Sequence, residues 1–128
     1  MSNLWHDGIM PKALPVIDMS QPVCCEPVAA GPVDDDVALQ IAMRLKAIAD
    51  PVRIKLVSLL FGSSDGEQTS SALAAALGIG ESTVSHHLGQ LRNAGIVSSE
   101  RRGMNVFHSV RREALTALCV VLDPRCCT

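Results

Sequence analysis

Aromatic side chains are nearly missing from these 128 residues: there is no tyrosine, one tryptophan and two phenylalanines. Hydrophobic residues still make up 48%. The core must therefore be assembled from Leu, Val, Ile and Ala, which suits packed helices better than an all-β sandwich. An excess of positive charge is lacking too. The formal net charge is −2, which excludes a globally basic protein. Any contact with nucleic acid must rest on local basic patches and on doubling of the site in a dimer. No apolar run approaches the roughly 20 residues of a membrane helix. Residues 1–20 lack the charged and apolar regions of a signal peptide. The expectation is a cytoplasmic protein, away from any membrane, with reduced thiols. Its five cysteines, an odd number, argue against a closed disulfide framework.

What is present is organised around residues 71–95, SALAAALGIGESTVSHHLGQLRNAG. Leu73 and Leu77 stand four apart among small alanines. Gly78-Ile79-Gly80 breaks the pattern with residues that tolerate positive φ. Val84, Leu88 and Leu91 then repeat at i, i+4 and i+7, one helical face, and Asn93-Ala94-Gly95 supplies a stop. Two short helices joined by a glycine turn form a helix-turn-helix. The outward positions of the second helix include Ser82, Thr83, Ser85, His86 and Gln90, short hydrogen-bonding groups suited to base edges and phosphates.

Upstream, residues 1–33 hold most of the prolines and read as an irregular arm. Asp34-Asp35-Asp36 opens an apolar-periodic helix over 35–49 (Val37, Ile41, Leu45, Ile48), where acids favour the positive end of the helix dipole. Asp50-Pro51 starts a second helix, with Asp at the N-cap and Pro at the first turn. That helix is apolar nearly all round, which predicts central burial. Arg53 and Lys55 are its polar exceptions, serving either solubility or a phosphate contact. Residues 62–66 form a loop.

Downstream, residues 96–101 and 105–110 read as two strands about an Arg102-Gly103-Met104 turn. A helix-turn-helix followed by a hairpin is a winged helix, and Arg101 and Arg102 near the wing tip are placed to touch a phosphate backbone. A last helix carries Leu115, Leu118 and Leu122 until Pro124 stops it. The expected fold is mainly α with a small β-hairpin. A winged helix-turn-helix domain spans 34–122, between the arm at 1–33 and a tail at 123–128.

STVSHHLGQLRNAGIV, with ADPVRIKLVSLL before it and RRGMNVFHSV after it, resembles the ArsR/SmtB family of metal- and metalloid-responsive repressors. The resemblance implies a homodimer paired through its first and last helices. Two recognition helices then lie about one DNA turn (~34 Å) apart, over an inverted-repeat operator.

Cys24-Cys25 is the chemical anomaly. Adjacent Cα atoms sit about 3.8 Å apart, whereas an unstrained disulfide wants about 4.4–6.8 Å. The pair is better used as two thiolates on one soft acceptor such as As(III) or Sb(III). Cys126-Cys127 repeats the chemistry in the tail, and Cys119 reads as a small packed hydrophobe. Arsenic-responsive relatives of the family often carry Cys-Val-Cys-Asp-Leu on the first helix of the helix-turn-helix. Here Thr69-Ser70-Ser71-Ala72-Leu73 stands there, so that three-sulfur site is absent, and the chain resembles members with cysteines in the arm or tail. Two thiolates suit methylarsenite, while arsenite or antimonite calls for a third, from Cys126 or Cys127. The zinc-type ligands on the last helix are missing, since residues 111–122 hold no His and one acid, Glu113. The implied function is an operator-bound repressor released by a trivalent arsenical. The rival reading keeps the fold and makes the thiols redox sensors. A thiol enzyme is disfavoured by the absence of Cys-x-x-Cys and Cys-x₅-Arg.

Overall fold

The computed structural model describes residues 18–23 and 27–123. After a 3₁₀ turn at Val28–Ala30, the order is α1 (Asp35–Ile48), α2 (Pro51–Gly62), β1 (Glu67–Thr69), α3 (Ser70–Leu77), α4 (Glu81–Asn93), β2 (Val97–Arg102), β3 (Asn105–Val110) and α5 (Arg112–Leu122). The starts of three helices follow from their caps. Asp34 accepts from the Val37 N–H at 2.9 Å. Asp50 accepts from Val52 and Arg53 at 2.8 and 3.2 Å, ahead of Pro51. Thr69 accepts from Ala72 at 3.2 Å. Gly78 closes α3 in the left-handed region, at φ 68°.

The wing is more than a hairpin. β1 adds a third strand, giving an antiparallel sheet of order β1-β3-β2, with Glu67 opposite Ser109 and Thr69 opposite Phe107. The β2–β3 register runs from Val97↔Val110 to Arg102↔Asn105, leaving Gly103-Met104 as a two-residue loop. Such a loop wants positive φ, and Gly103 supplies it at 62°.

Two apolar clusters hold the chain. The larger joins α2 (Leu56, Leu60), α3 (Leu73), α4 (Val84, Leu88, Leu91) and the start of the wing (Ile96, Val97). Central burial of α2 holds for one face only: Leu56 and Leu60 are fully buried, while Ile54 is 54% exposed. The smaller cluster joins Ile41 of α1, Leu118 and Val121 of α5, and Val23 of the arm.

The described part of the arm is therefore docked. Val23 is 5% exposed, and Met19 packs on the larger cluster. The buried Arg44 guanidinium donates to the carbonyls of Gln21 (2.8 Å) and Gln40 (3.1 Å). Gly95, at φ 73°, lies under this segment, and a Cβ there would collide with the Met19 carbonyl. Two open clefts of about 570 and 630 Å³ flank Met19. Leu39 and Met43 of α1 and Val120 and Leu122 of α5 remain exposed, so the smaller cluster leaves apolar surface uncovered.

Candidate nucleic-acid interface

Helix α4 divides cleanly. Val84, Leu88 and Leu91 are fully buried, as the i, i+4, i+7 spacing predicts. Ser82, Thr83, Ser85, His86 and Gln90 are all exposed on the other side. The N-cap is Gly80, which has no side chain to cap with, so the first-turn amides receive no side-chain acceptor. Unpaired amides at a helix start favour anionic oxygens. Asp50, at the start of α2, would be pushed up by burial. The N–H bonds from Arg53 and Val52, with the neighbouring His87 and Arg53, outweigh this and hold its carboxyl below the usual range.

Arg53 is not a free phosphate ligand. Its Nη1 donates to the Ala47 carbonyl and its Nε to His87 Nδ1, both at 3.1 Å. This bond ties α2 to the inner edge of α4, where the His87 ring stands edge-on to that of the exposed His86, 5.8 Å between centroids. Lys55 is exposed.

The two wing arginines differ. Arg101 is exposed and has no carboxylate partner among the described residues. Arg102 is held by both Glu67 oxygens, one at 2.9 Å, and by Glu100 at 3.0 Å. It also lies over the Phe107 ring, 4.9 Å from its centre. Those two carboxylates raise the Arg102 pKa above its ordinary value. Sequence spacing gave no sign of this, because Glu67 is 35 residues away. Beyond the arginines, the loop ends in Met104, 95% exposed.

A polar chain that the sequence reading missed runs through the base of the wing. His108, 4% exposed, meets Ser70 of α3 through Nε2 (2.9 Å) and Ser99 of β2 through Nδ1 (2.7 Å). Arg92 Nη1 donates to the Ser99 hydroxyl at 3.2 Å. With the Ser99 oxygen accepting from Arg92, its O–H donates to Nδ1, and Nε2–H donates to Ser70. That assignment by network logic requires a neutral imidazole. Burial first, and the Arg92 charge second, push the His108 pKa down in the same sense. The chain links α3, the wing and the recognition helix. Its one sequence signal is a histidine at an inward position of a strand.

Of the thiols, Cys24, Cys25, Cys126 and Cys127 lie outside the described residues. Cys119 is half-buried on α5 and disulfide-bonded, so the reading of it as a plain packing residue is incomplete. Among the described residues no three of His, Cys, Asp and Glu gather in a metal-binding cluster, and no helix is long and apolar enough to cross a membrane.

Comparison with known proteins agrees with this geometry. The profile described as "Bacterial regulatory protein, arsR family" matches residues 50–99, from the cap of α2 into the wing. The chain is 36% identical over 70 residues to the transcriptional repressor SdpR of Bacillus subtilis, covering 55% of this chain and 74% of that protein. A solved structure described as a "Possible transcriptional regulator for arsenical resistance" shares 35% identity at a TM-score of 0.53, over 59% of this chain and 75% of the other. A homodimeric winged helix-turn-helix DNA-binding domain from Mycobacterium bovis shares 29% identity at a TM-score of 0.57, over 71% and 84%. Such relatives are DNA-binding regulators rather than enzymes. With residues 50–99 matching the family's profile and the Bacillus subtilis repressor matched at 36% identity over 74% of its length, the chain belongs to the arsR family of bacterial regulatory proteins.

Proposed function

We propose that this regulator is a homodimeric repressor that leaves an inverted-repeat operator when a trivalent arsenical binds its cysteine thiolates. The observation that carries the DNA half is α4, with one face sealed in the core and a polar face of Ser82, Thr83, Ser85, His86 and Gln90 open to solvent. These side chains read the major groove. Arg101 serves the phosphate backbone. Arg102, already neutralised by Glu67 and Glu100, contributes less to that contact and stiffens the wing. The exposed apolar residues of α1 and α5 are the face for the second copy.

The effector half rests on Cys24-Cys25 and on their anchorage. Val23, the residue before them, is buried against α5. A ligand that draws the two sulfurs together therefore acts on a segment already seated on α1 and α5. A coupling of about 1–3 kcal/mol between the two sites is enough to release DNA. The likeness to a possible arsenical-resistance regulator supports the same effector class, As(III) or Sb(III). Titration of operator-bound protein with arsenite, methylarsenite, antimonite, zinc and cadmium tests it. Release by the arsenicals and antimonite is expected, and it should vanish in the Cys24→Ser, Cys25→Ser double variant. Retention of release in that variant would remove the proposed site.

The disulfide at Cys119 favours one second reading, a thiol redox switch on the same fold. Peroxide would take two electrons from two thiols, giving one disulfide and two waters. Release by peroxide alone, reversed by a dithiol, is the outcome that would select it.

A further inference from the structure

We infer that His108 is a positioning residue for DNA binding: as a neutral imidazole it ties the last turn of α4 to the wing through Ser99 and Arg92, and a proton on it loosens the hold on operator. The inference rests on the DNA half of the reading above. Four elements meet in this tie. His108 of β3 lies opposite Ser99 of β2 in the sheet register. Its Nδ1 meets the Ser99 hydroxyl at 2.7 Å, and its Nε2 meets Ser70, the first residue of α3, at 2.9 Å. Arg92, in the last turn of α4, donates to the same Ser99 oxygen at 3.2 Å. Arg92 has no carboxylate partner among the described residues. This polar link between α4 and the wing therefore runs through one hydroxyl. Those are the two parts proposed to hold DNA, one in the groove and one on the backbone.

Donor counting makes that hydroxyl sensitive to a single proton. Ser99 has one hydroxyl hydrogen. With Nδ1 bare, the hydrogen goes to His108 and a lone pair receives Arg92. Protonated Nδ1 is a donor, so the Ser99 oxygen then faces donors on both sides and its own hydrogen loses its acceptor. Two positive groups now share one oxygen. His108 is 4% exposed, whereas Arg92 lies at the surface, so Arg92 is the group that can leave for water. The other charges around β3 are already engaged or exposed. Glu67 of β1 and Glu100 of β2 hold Arg102, Arg53 of α2 is bonded to His87, and Lys55 and Arg101 are exposed. Helix α3 carries no charged side chain. Burial and the Arg92 charge both work against the imidazolium. Acid should thus weaken binding, the opposite of protonating an exposed histidine such as His86 beside phosphates.

The test uses full-length protein, reduced with a phosphine and free of effector, and a DNA duplex that the wild type selects from a random-sequence pool at neutral pH. Affinity is measured at fixed salt from about pH 8 to 5, the span in which imidazole changes charge, for wild type, His108→Gln, His108→Ala and Ser99→Ala. Titration of His86, His87 and the carboxylates is common to all four, so the contrast between wild type and His108→Gln isolates position 108. Relative to His108→Gln, wild type should lose about tenfold in affinity on acidification, the loss that goes with one unit of pKa difference between free and DNA-bound His108. Glutamine keeps an acceptor for Ser99 and a donor for Ser70. It should restore most of the neutral-pH affinity that His108→Ala loses, without the pH response. Ser99→Ala should bind weakly at every pH and lack the response too. Imidazole nitrogen NMR of the free protein should place the neutral-pH proton on Nε2. A wild-type profile parallel to that of His108→Gln, a pH response kept in Ser99→Ala, or a proton on Nδ1 overturns the inference. So does a loss of affinity that follows unfolding, read by circular dichroism at each pH. Failure of the wild type to select any duplex would instead overturn the DNA reading itself.

Discussion

Helices α4 and α5 are of similar length and each buries three side chains, yet their outer faces are opposites. α4 turns serines, a threonine, a histidine and a glutamine outward, whereas α5 leaves Val120 and Leu122 exposed. A polar outer face fits a wet, charged partner such as a DNA groove, and an apolar one fits a second protein surface. Under the proposed function, one small domain separates DNA contact from assembly by the chemistry of two helix surfaces, with the same kind of core behind both.

The largest effect expected on this contrast comes from breaking the inner side of α4. Leu88 is fully buried, and Leu88→Ala should cost about 2–5 kcal/mol, read as a lowered urea midpoint with operator binding lost alongside. Next is the assembly face. Met43→Glu, at an exposed apolar position of α1, should weaken the dimer by about 2 kcal/mol. Sedimentation would show monomer, and operator affinity would fall while the monomer's helical content is retained. A variant that stays dimeric would place the interface elsewhere.

A smaller effect separates the two wing arginines. Arg101→Ala should weaken binding to all sequences alike and reduce the salt slope by about 1. Arg102→Ala should leave the slope nearly unchanged, because its charge is already balanced by Glu67 and Glu100. Equal slopes for the two variants would erase the distinction. The smallest effect is pH-dependent. Burial and the Arg92 charge hold the folded-state pKa of His108 below the ordinary imidazole value of about 6.5, so the unfolded chain binds the proton more readily. Its contribution is intact above about pH 6.5 and is lost as the pH falls through the unfolded pKa toward the folded one. His108→Gln should flatten that part of the stability–pH curve, measured by denaturation at a series of pH values.

Helix α4 was legible because Val84, Leu88 and Leu91 repeat at a helical interval, and Asp50-Pro51 marked a boundary by its own chemistry. β1 was not legible. Glu67-Gln68-Thr69 has neither alternation nor β-branched density, and becomes a strand because β3 offers it a free edge. The partners of Arg102 and His108 come from residues far away in sequence, so their roles depend on the finished sheet. The docking of residues 18–23 was hidden for a similar reason. Met19 and Val23 look like stray apolar residues in a proline-rich leader until the larger cluster beside Gly95 receives Met19 and the Ile41, Leu118 and Val121 cluster receives Val23. The four cysteines proposed as ligands in the arm and tail lie outside the described residues, and their assignment still rests on the chemistry of sulfur.

The crossing of Met19 over Gly95 makes one residue answer for two things at once. Position 95 ends α4 and also forms the bed on which the leader rests, so a side chain there would strain the bend and evict the leader together. A lesion at 95 should therefore blunt both the grip on DNA and the response to effector, although the residue itself touches neither.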